Sequence, residues 1–139
     1  MNPHYPVVAE RAAHRCEYCG APEAVFNFPF EVEHIEPLVR RGSDDNRNLA
    51  LACRSCNVHK GDAVESEDGD TQTVVRLFHP RRDVWSEHFT VDVTTGAIVG
   101  KTAAGRATVT RLGMNTRVQL AARKQWMRLK MFPPAVSQK

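Results

Sequence analysis

At 139 residues, with 42% hydrophobic and 25% charged side chains, the chain has the composition of a folded globular protein, and its length suits one domain or one domain with an appendage. The opening MNPHYPVVAERAAHR lacks the apolar core of a secretory leader, and no apolar run nears the roughly 18 residues that a bilayer crossing needs. These features predict a cytoplasmic protein without a membrane partner. The net charge of +3 hides an asymmetry: all 16 acids lie at or before Asp92, and beyond it Lys101, Arg106, Arg111, Arg117, Arg123, Lys124, Arg128, Lys130 and Lys139 stand with none between them. A purely basic tail behind an acidic first part points to a polyanionic partner.

Residues 4–14 have helical apolar spacing, with Pro6 tolerable in a first turn. Cys16 to Gly20 reads as a tight turn. Val25 to Val32 is aromatic and β-branched around Pro29, which predicts a strand pair or a bent strand ending near Glu33 and His34. Arg41 to Asn46 reads as a loop. The apolar run Leu49 to Ala52 precedes a helix that starts near Cys53 and stops at Gly61, where glycine suits the cap. Ala63 to Thr73, polar and acidic, reads as a long loop. Strands are expected at Thr73–Phe78, Phe89–Val93 and Ala97–Val99, and helices at about Ala103–Leu112 and Asn115–Met131.

Cys16-x2-Cys19 and Cys53-x2-Cys56 use every cysteine in the chain. Each CxxC turn places two thiolates on one side of the backbone, and two such turns supply the four soft ligands of a tetrahedral Zn²⁺. A pair of disulfides is disfavoured in a cytoplasmic chain, and four unrelated thiols are disfavoured by the paired spacing. Such a site is closed to substrate. Its expected role is to pin the N-terminal turn to the helix that begins near Cys53.

Between and beside these pairs lie Glu33-His34-Ile35-Glu36-Pro37, then Asn46-Arg47-Asn48-Leu49, then Cys53-x2-Cys56-Asn57-Val58-His59-Lys60-Gly61. In order and spacing, residues 11–62 resemble the HNH endonuclease family. The resemblance implies an α+β architecture: a ββα-metal core, zinc-stapled, joined to a small antiparallel sheet and C-terminal helices. It implies a nuclease core at 1–62, with 63–139 packed on it in the same domain. It also implies metal-dependent hydrolysis of nucleic-acid phosphodiesters. Glu33 stands where the family more often has aspartate, and Asn57 where it has a final histidine, giving an H-N-N variant.

The chemistry of these side chains agrees. Phosphodiester hydrolysis needs an activated water and positive charge near the phosphorus. Glu33 and Asn57 are hard oxygen donors for Mg²⁺ or Mn²⁺, with positions left for water and phosphate. His34, of the side-chain type that titrates nearest neutral pH, is the expected general base. The resemblance gives Asn48 the task of bracing the loop that aims His34. One carboxylate and one amide suit a single ion. His59 lies roughly 200° around a helix from Asn57, so the two cannot face one ion.

Lys60, Arg117, Lys124 and Arg128 are the expected nucleic-acid contacts, DNA being favoured; for Lys60 the alternative is a solvated helix-end lysine. Arg40 and Arg41 stand open between the same two roles. The last helix aligns Val118, Ala122, Trp126 and Leu129 in one stripe, expected to pack on the small sheet. Trp85 and Phe89 are expected in a core. No sequence-reading element is evident. Two rivals stay open: a catalytically silent zinc module that binds nucleic acid or protein, and an RNA-directed nuclease.

Overall fold

The computed structural model describes residues 2–134. Helix α1 (Tyr5–Arg11) begins with proline in its first turn and buries Val8 and Ala9. Arg11, at its end, donates to the carbonyls of Asn46 and Leu49 at 2.9 and 2.5 Å. The chain then reverses through Ala13 and His14, both at positive φ, into the Cys16–Gly20 turn. That turn is closed by Gly20 N–H to Cys16 O at 2.9 Å.

Strand β1 (Glu31–His34) pairs antiparallel with β2 (Leu49–Ala52), Glu31 opposite Ala52 and His34 opposite Leu49. Every residue of β2 is buried, which explains why it reads as a continuous apolar run rather than an alternating one. Helix α2 (Arg54–Lys60) follows at once. Cys53 is its N-cap, the sulfur accepting from the Cys56 amide, and Gly61 ends it at φ +55°. The unit is therefore β-hairpin then helix, with a long loop between the strands.

The aromatic segment before β1 departs from expectation. Only its last residues form a strand; Glu23–Val25 is a 3-10 turn, and Phe30 is held instead by its amide donating to the Glu23 carboxylate at 2.6 Å. Pro29 has no amide to offer a ladder, which is consistent with a strand that starts only beyond it.

The second half contains two further hairpins. The stretch expected as a long loop forms β3 (Glu65–Asp68), paired with β4 (Thr73–Arg76). Its acids concealed the strand, because one side of this hairpin faces solvent. Strands β5 (Phe89–Val91) and β6 (Ile98–Gly100) form another hairpin, so the three ladders are separate rather than one sheet. A one-turn helix, α3 (Trp85–His88), leads into β5. Helices α4 (Ala103–Arg111) and α5 (Arg117–Arg128) complete the described chain, each capped by a threonine side chain. Close approach of α4 depends on glycine: a Cβ on Gly105 would fall 2.1 Å from His88 O.

Helix α5 buries only the middle of its apolar stripe, Ala122 and Trp126. Val118 and Leu129 are exposed, whereas Arg123 is fully buried and Trp126 nearly so. The Arg123 guanidinium donates to Gly96 O, Asn115 Oδ1 and Met114 O at 2.9, 3.2 and 2.7 Å, and lies over the Phe132 ring. These carbonyl oxygens serve both terminal nitrogens of the buried fork, which offsets much of the cost of burying it, while Nε stays without a partner among the described residues. One apolar cluster links both halves, from Val8 through Leu51 and Phe78 to Phe132.

The β3–β4 hairpin is tied to α4 by Asp68, whose two oxygens accept from Arg106 at 2.9 and 3.0 Å. Bonds from Arg106 and Thr71 hold the Asp68 carboxyl well below the usual aspartate range. A carboxyl depressed in the fold stabilises it above the ordinary value near 3.9, and that contribution is lost as the pH falls through and below that value. Asp68→Asn should therefore lower the melting temperature at neutral pH, with the gap from wild type narrowing below about pH 4. Paired thermal melts check this; a gap that stays constant into acid would remove the ion pair from the account.

Candidate functional site

The Cys16–Cys19 turn and the start of α2 bring four sulfurs within 4.8 Å of one another, and all four cysteines are buried. The sulfurs of Cys19 and Cys53 lie 3.8 Å apart, matching the edge of about 3.8 Å for a tetrahedron with ~2.3 Å metal–sulfur bonds. Amides of Cys19 and Cys56 donate to Cys16 and Cys53 sulfurs at 3.5 and 3.4 Å. Hydrogen bonding to Cys16, Cys19 and Cys53, together with burial, pushes the Cys56 thiol well up. Crowded buried thiols resist losing protons until a cation neutralises them. The donor set fits a structural metal such as zinc.

Residues inside that turn reach outward. The Glu17 carboxylate accepts from Leu51 N–H at 2.8 Å and pairs with Arg81. The Trp85 indole donates to Tyr18 O at 2.8 Å, and the Tyr18 ring meets Phe78 edge-on. Thus the 77–89 segment, whose Trp85 and Phe89 were expected in a core, clamps the cysteine turn. Phe89 is buried and Trp85 half-buried, their ring centroids 4.9 Å apart.

Period-two alternation puts Glu31 and Glu33 on the same face of β1, the face covered by α2. Glu33 is 5% exposed. The Tyr18 hydroxyl donates to one of its oxygens and Lys60 Nζ to the other at 3.2 Å. Burial raises the Glu33 carboxyl, against the pull of Lys60 and Tyr18. The Asn57 amide donates to Glu31, not Glu33, and Arg54 pairs with the second Glu31 oxygen at 3.1 Å. The structure therefore joins Glu31 to Asn57 and Glu33 to Lys60, where Glu33 with Asn57 was expected. Glu31 was missed, although it lies two residues before Glu33 on one strand face. Glu31 and Asn57 fit a hard cation: a half-buried carboxylate touches an amide whose two ends exchange by a half-turn.

Lys60 needs correcting as a nucleic-acid contact. It is 2% exposed, its ammonium donating to Glu33 and to Ile35 O at 3.1 Å. The face of α2 that carries the cysteines also carries this lysine, one turn on, into the interior.

His34 closes β1, and its Nε2 lies 2.7 Å from Asp44 Oδ1. Asp44, a second residue missed from sequence, is drawn below the usual aspartate range by that bond. With Nε2–H donated to a carboxylate, the neutral ring presents Nδ1 as an acceptor. Asn48 spans the loop beyond: its Oδ1 accepts from Glu36 N–H at 2.8 Å, and its Nδ2 donates to Glu36 O and Ser43 O at 3.0 and 2.8 Å. His59 stands apart, Nδ1 on Ser55 O at 2.7 Å and its ring against Gly113.

Part of the basic tail is engaged internally. Arg106 pairs with Asp68 and Asp70, Arg111 donates to His59 O and Lys60 O, and Arg123 is buried. Arg117, Lys124 and Arg128 are exposed on α5, without ion pairs among the described residues. Lys139 lies outside the described residues.

No curated protein and no solved structure matches the chain. The segment holding the four cysteines, Glu33, His34, Asn48 and Asn57 does match a family model: residues 16–63 of this chain match the HNH endonuclease family.

Proposed function

We propose that the protein is a metal-dependent endonuclease that hydrolyses nucleic-acid phosphodiesters, DNA being favoured, with one divalent ion and His34 as general base. The observation that carries this is His34 itself, at the end of β1 with Asp44 on one ring nitrogen and the other left to accept a proton. In this reading Nδ1 takes the proton of the attacking water, and Asp44 steadies the imidazolium that results. Asn48 fixes the loop that carries both residues. Asn57 with Glu31 would hold Mg²⁺ or Mn²⁺, and Glu33 joins them if Lys60 yields its oxygen. The bound ion would supply positive charge to the phosphate and leaving oxygen. The cysteine cluster, buried and closed, keeps the structural metal away from substrate.

A zinc-bound module that binds without cutting is the second reading, favoured by one observation: Glu33 already has a partner on each oxygen. Plasmid nicking separates the two. The nuclease reading expects relaxed circles on addition of Mg²⁺ or Mn²⁺ and none without a divalent ion. An intact plasmid under all metals, with duplex binding retained, would favour the silent module.

A further inference from the structure

An open cleft of about 610 Å³ lies between the loop after β1 and the turn at residues 79–82. Its walls carry five arginines, Arg40, Arg41, Arg47, Arg81 and Arg82, against two acids, Glu36 and Asp45. Pairing removes part of this charge. Arg47 is held by Asp45 at 3.0 Å, Arg81 by Glu17, and Glu36 is taken by Arg76. Arg40, Arg41 and Arg82 carry no ion pair among the described residues, and all three are exposed.

Both walls are fixed. Gly42 N–H donates to Pro37 O at 2.9 Å, and a Cβ on Gly42 would meet Glu36 O at 1.6 Å, so only glycine closes this loop. Closure holds Arg41 in the left-handed region at φ +68°. Arg40 Nε donates to Asp62 O at 2.9 Å, and Asn48 staples the loop from within. On the other wall, amides of Arg82 and Asp83 donate to His79 O at 3.1 and 2.9 Å, and the Arg81–Glu17 pair anchors the turn to the cysteine knuckle. Exposed guanidinium groups on preorganised backbone suit planar oxyanions, since little ordering remains to oppose binding. A polymer is favoured over a small anion, because the charges are spread along two walls and one of those walls is the loop that also carries Asp44 and Asn48.

We infer that this cleft is a track for a nucleic-acid phosphate backbone, with Arg40, Arg41 and Arg82 contacting the strand that is presented to His34. The inference rests on the nuclease reading for its substrate, and moves the principal contact from the basic helix α5 to a cleft built by the HNH segment and residues 79–82. Such contacts position the strand without reading its sequence.

The test is duplex-DNA binding by the full chain, zinc retained and no other divalent ion added, followed by anisotropy from roughly 50 to 200 mM salt. Each phosphate contact contributes a slope of about 0.9 in log affinity against log salt. Arg41→Ala with Arg82→Ala should lower the slope by about 1.8, whereas Arg41→Lys with Arg82→Lys should keep most of it. Arg117, Lys124 and Arg128 changed together to alanine should lower it less. An unchanged slope in the cleft alanine variant, with zinc content and melting intact, would overturn the proposal; so would absence of any duplex binding by wild type. Wild type that binds through the cleft but never nicks would sink the nuclease reading alone, and wild type that nicks with cleft variants unaffected would sink the cleft alone.

Discussion

Cys53→Ser should yield a chain without a cooperative melt. Cys53 supplies one of four sulfurs within 4.8 Å of one another and is also the N-cap of α2. Serine preserves a cap acceptor, so the loss isolates the metal bond. Structural zinc contributes on the order of 10 kcal/mol to the folding of small domains, comparable to the whole stability of about 5–15 kcal/mol typical of a domain. The effect should spread beyond the knuckle, because Glu17 and Tyr18 inside it hold Leu51, Arg81, Trp85 and Glu33. Elemental analysis should find one zinc per wild-type chain. A metal-free protein with an intact two-state melt would contradict the stapled architecture.

How far the sequence discloses this molecule depends on the kind of signal. The cysteine cluster was legible because two CxxC turns leave little freedom in ligand choice. Helices α2, α4 and α5 were legible in outline, α2 from its start near Cys53 and its glycine stop at Gly61. Strand β3 was not, because Glu65, Glu67 and Asp68 resemble a solvated loop, and only tertiary partners such as Arg106 make an acidic segment a strand. The buried face of α5 was legible only at Ala122 and Trp126, for a related reason. Periodicity ranks Val118 and Leu129 above Arg123, yet three carbonyls and a ring happen to converge where Arg123 points, and no local pattern encodes that convergence.

At the candidate site, the segments singled out in the sequence do come together in the fold, but some of their side chains pair differently from expectation. Residue order places Glu33 beside His34, but strand alternation sends Glu33 inward to Lys60 and leaves Glu31 against Asn57. Lys60 looked like a helix-end cation because its acceptors, Glu33 and Ile35 O, are remote in sequence. Asp44 was hidden in a loop of polar residues, where nothing local distinguishes it from Asp45. The arginines of the 79–82 turn gain meaning only when the fold sets them across from Arg40 and Arg41.

The chemistry should separate from the fold at His34. Its side chain makes one polar contact, with the exposed Asp44, so removing it leaves no buried partner unsatisfied. Loss of a general base costs roughly 10²–10⁴-fold in rate, far more than loss of an exposed hydrogen bond would. Asp44→Asn should lower activity less, since it disturbs only the aim and charge of the ring. The most direct measurement is therefore divalent-dependent nicking by His34→Ala beside wild type, with zinc content, melting and duplex binding determined on the same samples. The account predicts a fall of about 10²–10⁴-fold in turnover with the other three unchanged; full nicking activity in His34→Ala would contradict it.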